Sequence, residues 1–435
     1  MDYSTGGCWT RLSADVSGGE LREQRGNILL IALIISVIAV LIGLTWANYR
    51  FAQQNPGGND FLARWMGAHY WVVDGISPYD ERVSLASQQA IYGHPADVSQ
   101  GEDKNHFVYP LHSMLFFAPF GPLDYTLARA LWMTLLEVSL FLLAIVSIRL
   151  ADWRVSPLKS IALILFTLLW YHGVRTVIIG QFAGLNALII ALALLLIMRK
   201  QDFVAGLLLA LSTAKPQMVF LLLPFTLLWS LSVRRRDIAG GMLIGLAILL
   251  GASLVFMPDW PLQWLRQLVD YPSYTSRIGS PLSVIANYTP AISRQVNIFL
   301  MTLTLGYLLL EWFLAFRKDQ YWFRWTAFMT IVVTNLVAYR TATTNFMMML
   351  PALFLIFALW EARWRIGGRI AVWVSLIILG FGSWALFLAT VRGNEEQAIM
   401  YLPFPIFCLV GLWWVRWWAI RPQRGMLQDM AERVD

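Results

Sequence analysis

Asp60 stands in Asn59-Asp60-Phe61-Leu62-Ala63-Arg64-Trp65, about a dozen residues beyond the first apolar run. A carboxylate held within hydrogen-bond reach of a hydroxyl can take its proton as the oxygen attacks, so Asp60 is a candidate general base. Asp just ahead of Phe61 is also well suited to cap a helix N-terminus, and the two roles are compatible because a cap fixes the carboxylate in place. Lys215 lies in Ser212-Thr213-Ala214-Lys215-Pro216-Gln217, at one end of two short apolar spans. An ammonium at that depth costs free energy without an anionic partner, which marks it as functional; snorkelling to the headgroups is the alternative. Pro216 points to a broken helix lining a cavity, since non-helical backbone is not tolerated against lipid.

Other polar groups invite two readings each. Arg277, Arg294 and Arg340 carry guanidinium forks that can meet a phosphate or merely lipid headgroups. Arg175, Gln181 and Asn186 enter an apolar run, where polar groups usually face a bundle interior, and for Gln181 and Asn186 an interhelical hydrogen bond worth ~0.6–2 kcal/mol competes with ligand contact. Glu137, midway along its span, is either a satisfied structural acid or a site residue. The histidines His69, His94, His106, His112 and His172 match no zinc spacing, so loop or interface roles are expected, with no metal and no cofactor.

The elements that must position these groups are membrane helices. The chain of 435 residues is 58% hydrophobic, with a mean hydropathy of +0.59. Apolar runs near 27–48, 125–148, 159–174, 183–198, 203–214, 217–233, 237–257, 295–316, 325–339, 345–360, 370–390 and 399–418 predict an all-α polytopic bundle of about 12 transmembrane helices. Arg149, Arg154 and Lys159, then Arg199 and Lys200, Arg234 to Arg236, Arg317 with Lys318, Arg363 with Arg365, and Arg416 with Arg421 recur at every second turn. This alternation predicts both termini in the cytoplasm of a multi-pass cell (inner) membrane protein, with external loops at 49–124 and 258–294. The net charge of +7 follows from that topology and implies no nucleic-acid partner.

The expected organisation is a cytoplasmic tail at 1–26, one membrane domain at 27–420, and a second tail at 421–435. Residues 1–26 read as unstructured, followed by a retained anchor rather than a cleaved signal. Cys8 and Cys408 fall in different environments and are not expected to pair. In the first external loop, the turn-forming 55–60 segment followed by Phe61, Trp65, Ala68 and Val72 predicts an amphipathic helix at the membrane surface. The run from Phe107 to Leu123, broken by Pro110, Pro119 and Pro122, predicts a re-entrant or interfacial hairpin.

Several blocks, taken in order, resemble glycosyltransferase family 87, the polyprenol-phosphate-mannose-dependent mannosyltransferases of the GT-C superfamily. They are Asn59-Asp60-Phe61, Gly75-Ile76-Ser77-Pro78-Tyr79, Phe107-Val108-Tyr109-Pro110, Pro119-Phe120-Gly121-Pro122-Leu123, Gly180-Gln181 with Asn186, and Ala205-Gly206 leading to Lys215-Pro216. The sequence departs from the family at Leu111 and His112, where a second Pro is common. The resemblance implies a GT-C-like membrane fold with Asp60 as catalytic base in the first external loop. It also implies a polyprenyl-phosphate-sugar donor, an acceptor glycan or glycolipid, inversion at the anomeric carbon, and no metal or nucleotide sugar. Lys215, Arg175, Arg277 and Arg340 would then meet the donor phosphate, and Tyr79, His106, Tyr109, His112, Gln181 and Asn186 the substrates. The competing classes are an O-antigen ligase or polymerase, which would not depend on Asp60, and a lipid-linked-sugar transporter, which would place its polar groups near the midplane.

Overall fold

The structure is a computed structural model that describes residues 9–55, 57–275, 279–339, 341–393 and 396–421. Its architecture is all-α. Helix α1 (Trp9–Gln54) is followed by α2 (Asn59–Val73), α3 (Glu81–Tyr92) and the short α4 (Met114–Phe117) in the first long loop. Then come α5 (Tyr125–Leu150), α6 (Pro157–Leu169), α7 (Tyr171–Ile178), α8 (Ala183–Met198), α9 (Asp202–Leu211), α10 (Leu222–Ser232) and α11 (Arg236–Phe256). The second long loop carries α12 (Trp260–Tyr274) and α13 (Pro281–Ala286), and α14 (Ser293–Ala315), α15 (Gln320–Val337), α16 (Leu350–Trp364), α17 (Ile366–Thr390) and α18 (Pro403–Ala419) complete the bundle.

Among the described residues, seven helices are long and apolar enough to cross a membrane, or eight if the bent pair α6 and α7 is one span. The chain is therefore a multi-pass membrane bundle. The difference from the expected dozen lies in segments that are apolar but short. The 159–174 run bends by 52° between α6 and α7. Helix α8 has 16 residues, about 24 Å at 1.5 Å per residue and less than the ~30 Å hydrocarbon thickness. The 203–233 stretch breaks at Lys215-Pro216 into α9 and α10. The N-terminal tail departs from expectation in the opposite sense, because from Trp9 onward it continues as one helix with the first span. The sequence contains no proline before Pro56, so nothing forces a stop.

Helix α16 sits at the centre: 94% of the most apolar 18 residues within Thr343–Trp364 are buried, against none of those within Leu29–Gln54 of α1 at the lipid face. Between lipid-embedded helices close packing replaces the hydrophobic effect as the main attraction, and small residues allow it. Helices α9 and α11 show this: a Cβ at Gly206 would stand 2.3 Å from the Ile238 carbonyl oxygen, and one at Gly241 2.1 Å from that of Phe203. Their backbones touch, and this contact anchors the segment from which Lys215 emerges.

The two ends of the bundle differ. At one end the long loops lock together: Trp264 Nε1 donates to the Val108 carbonyl at 3.0 Å, Gln267 Nε2 to that of Tyr79 at 2.9 Å, and Lys104 Nζ to Asp270 at 3.1 Å. At the other end the basic turns meet acids, with Lys159 on Glu361, Arg324 on Asp152 and Arg235 on Asp202. Segment Leu111–Phe120 is a run of short helical turns, too short to cross, packed on α2 through Trp65 Nε1 donating to the Phe120 carbonyl at 3.0 Å.

Candidate active site

The site begins with how α2 is seated. Gly58 precedes it with φ of 76°, the left-handed region that glycine enters freely. Gly58, and not Asp60, is the N-cap, and no side chain caps the helix. The expectation that Asp60 caps α2 is thus corrected: it sits in the first turn, favourable for an acid near the positive end of the helix dipole, with its carboxylate free of backbone duty. The next residue, Phe61, is fully buried and stacks on Trp132 with ring centroids 5.1 Å apart. Gly180 lies under it with φ of 71°, and a Cβ there would come within 2.5 Å of the Phe61 Cβ. Arg129 Nη1 donates to the Asn55 carbonyl at 2.7 Å, and Tyr125 Oη to that of Gly57 at 2.7 Å, holding the turn that enters α2.

From Asp60 a chain of polar contacts runs inward. Asp60 faces Arg64, one helical turn on, at 4.0 Å, and its side chain keeps 34% exposure against 13% for the arginine. The Arg64 guanidinium lies 4.7 Å from the centroid of the Tyr109 ring. Tyr109 Oη donates to Gln181 Oε1 at 3.0 Å, and Lys215 Nζ donates to the same oxygen at 2.8 Å. Lys215 lies in the break between two short helices and is 1% exposed. Burial lowers its pKa to about 7, with Asp60 pulling it up and Arg64 pushing it down, so both charges are felt at the ammonium. For Arg64 burial opposes the charge, but Tyr109, Asp60 and Tyr271 outweigh it and raise its pKa. Burial first, then Asp103, pushes the Tyr271 phenol up to about 12. The arrangement offers a half-exposed carboxylate at one end and a buried ammonium at the other, separated by a guanidinium and a phenol.

The model of glycosyltransferase family 87 matches residues 107–339, more than half of the chain. The chain belongs to glycosyltransferase family 87. It is a membrane-embedded glycosyltransferase, and the resemblance drawn from the sequence blocks holds. The family match contains Tyr109, Gln181 and Lys215, whereas Asp60 and Arg64 precede it. No curated protein and no solved structure matches the chain.

In this family-87 chain the remaining site candidates take different places. Arg175 pairs with Glu396 at 3.5 Å and lies within electrostatic reach of Asp60. Glu396 also accepts from Tyr171 Oη at 3.0 Å and from Thr343 Oγ1 at 2.8 Å. Tyr79 stands behind Tyr109, its Oη donating to the Tyr109 carbonyl at 2.8 Å. His112 Nε2 meets Thr213 Oγ1 at 3.1 Å, tying the short helical turns to the segment before Lys215. Asn186 is fully buried, with Nδ2 donating to Met218 Sδ at 3.6 Å, just after Lys215. His106 packs edge-on against Tyr274 at 5.3 Å, and burial first, then Lys104, lowers its pKa. Glu137 accepts from Asn48 Nδ2 at 2.8 Å, away from the cluster. Arg277 and Arg340 lie outside the described residues. Sequence reasoning missed Arg64 and Glu396; the i, i+4 spacing of Asp60 and Arg64 on one helix was the available signal for the first.

Proposed function

We propose that the protein transfers a sugar, mannose by the family resemblance, from a polyprenyl-phosphate-sugar donor to an acceptor glycan or glycolipid at the external face of the cell (inner) membrane. The observation that carries this reading is the continuous contact chain Asp60, Arg64, Tyr109, Gln181, Lys215. Asp60 takes the proton of the acceptor hydroxyl while its oxygen forms a bond to the anomeric carbon. The bond from that carbon to the phosphate oxygen breaks on the opposite side, so the anomeric centre inverts. Negative charge develops on the leaving polyprenyl phosphate, where Lys215, Arg64 and Arg175 stabilise it from fixed positions. Gln181 and Tyr109 orient Lys215 and Arg64.

The architecture is GT-C-like in this reading, with the short apolar helices α8, α9 and α10 completing about 12 membrane segments around the long first loop. The recurrence of Lys and Arg at the end opposite Asp60 supports both termini in the cytoplasm. The test is incubation of the purified protein in nanodiscs with polyprenyl-phosphate-mannose and a mannoside acceptor, followed by NMR of the product's anomeric configuration. An inverted linkage with stoichiometric release of polyprenyl phosphate is expected. A retained configuration, or turnover with a nucleotide sugar alone, would overturn the assignment.

A further inference from the structure

A second polar cavity lies at the far end of the molecule. Helix α5 has 26 residues, so it is about 39 Å long and carries the chain from one pole to the other. There the end of α5, the starts of α15 and α17, and the ends of α16 and α18 enclose about 970 Å³. Arg149, Arg154, Arg324, Arg369 and Arg421 line it, against the carboxylates Asp152 and Glu361. Both acids are already engaged. Asp152 accepts from Arg324 Nη1 at 2.5 Å, and Glu361 accepts from Lys159 Nζ at 2.5 Å and Trp153 Nε1 at 2.8 Å.

Arg149, Arg154 and Arg421 pair with no carboxylate among the described residues. The Arg324 side chain is only 6% exposed, and its Nε has no hydrogen-bond partner. Topology alone places basic residues at one membrane face. It does not require helix ends to part around them and leave a cavity lined by five arginines and only two carboxylates, both already engaged.

Next to this cavity runs an apolar groove of about 520 Å³ between α16 and α18, lined by Trp360, Trp364, Phe407, Val410 and Trp414. Val410 and Trp414 are 55% and 56% exposed, so the groove opens to the lipid face. Trp364 meets the ring of Trp418 at 6.0 Å, and Trp418 lines the arginine cavity, so the two spaces adjoin. A positive pocket beside a lipid-facing apolar groove matches a ligand with an anionic head and a hydrocarbon tail. We propose that this is a binding site for an anionic phospholipid, with the phosphate among Arg149, Arg154 and Arg421 and one acyl chain in the α16–α18 groove. The bound lipid would brace the ends of α5, α15, α16, α17 and α18 at the pole opposite the reaction.

Binding to the full-length protein in detergent would be measured with dioleoyl phosphatidylglycerol, dioleoyl phosphatidylcholine and soluble glycerol phosphate. Phosphatidylglycerol should bind at least tenfold tighter than either of the others. Arg149→Gln with Arg154→Gln should raise its Kd roughly 25-fold, taking about fivefold per basic residue. Val410→Trp, which fills the groove, should weaken phosphatidylglycerol several-fold and leave glycerol phosphate unchanged. Equal binding of the two lipids, or an unchanged Kd in the double variant, would overturn the site. Glycerol phosphate binding as tightly as the lipid would assign the cavity to a soluble phosphate and overturn the lipid reading. If the double variant fails to insert, the lipid comparison on wild type and Val410→Trp decide the matter.

Discussion

Replacing Lys215 by Met separates its cost to folding from its use in transfer. Its pKa falls from 10.5 to about 7 on burial, which at 1.36 kcal/mol per unit disfavours the charged form by about 5 kcal/mol. The sign follows from linkage. An unfolded lysine stays protonated up to pH 10.5 and the folded one only up to about 7, so the folding penalty is full below pH 7, shrinks as pH rises, and vanishes above 10.5. Near pH 7.5 about 4 kcal/mol remains. Lys215→Met removes this and loses the 2.8 Å hydrogen bond to Gln181, whose oxygen keeps Tyr109 as donor. At that pH the folded amine is mostly neutral, and an ordinary hydrogen bond contributes about 0.5–1.5 kcal/mol, so the variant should be more stable than wild type by roughly 3 kcal/mol. Turnover should nonetheless fall about 10²–10³-fold, the usual loss when one fixed donor to developing charge is removed. Lys215→Arg should keep part of it. The assay is thermal unfolding in nanodiscs beside release of polyprenyl phosphate. A Lys215→Met protein that is less stable yet turns over within about threefold of wild type would mean that Lys215 supports the fold and not the transfer.

The same ammonium predicts that donor affinity is full below pH 7 and lost as pH rises past it, while Lys215→Arg shows no such fall; titration calorimetry from pH 6 to 9 would read both, and a pH-independent wild type would contradict it. Gly180→Ala must accommodate a Cβ 2.5 Å from that of Phe61 at a left-handed φ of 71°, so it should lower the rate of polyprenyl phosphate release at least tenfold by displacing Asp60, and a rate within about threefold of wild type would contradict this. For topology, Ala90→Cys and Lys200→Cys, both exposed and each in a Cys8→Ser background, should label with an impermeant thiol reagent on intact cells at 90 and not at 200; the reverse pattern would invert the orientation.

Much of this was legible where residues break local rules. A lysine before a proline at the end of an apolar run has no lipid-compatible explanation without a partner, and Lys215 is indeed buried beside Gln181. The long apolar runs at 125–148, 237–257 and 370–390 are spans because they exceed the bilayer with few charges, and each appears as one helix. Less legible were features set by tertiary context. The bend after Leu169 and the short α9 and α10 have the same apolar composition as full spans, so hydropathy alone cannot distinguish them. The capping of α2 by Gly58 depends on a positive φ that composition does not reveal. The Arg175–Glu396 pair joins segments far apart in the chain, and no local pattern encodes it.

Removal of the acceptor's proton by Asp60 is the step on which the transfer depends. Asp60→Asn keeps the size of the side chain, and because Gly58 rather than Asp60 caps the start of α2, folding should survive. Turnover of polyprenyl-phosphate-mannose by purified wild type and Asp60→Asn in nanodiscs, with donor binding measured on the same samples, is the direct test. Donor binding within about threefold of wild type is expected, with a roughly 10²–10⁴-fold loss of transfer, the usual contribution of a positioned base. Near-normal transfer by a well-folded Asp60→Asn protein would contradict it.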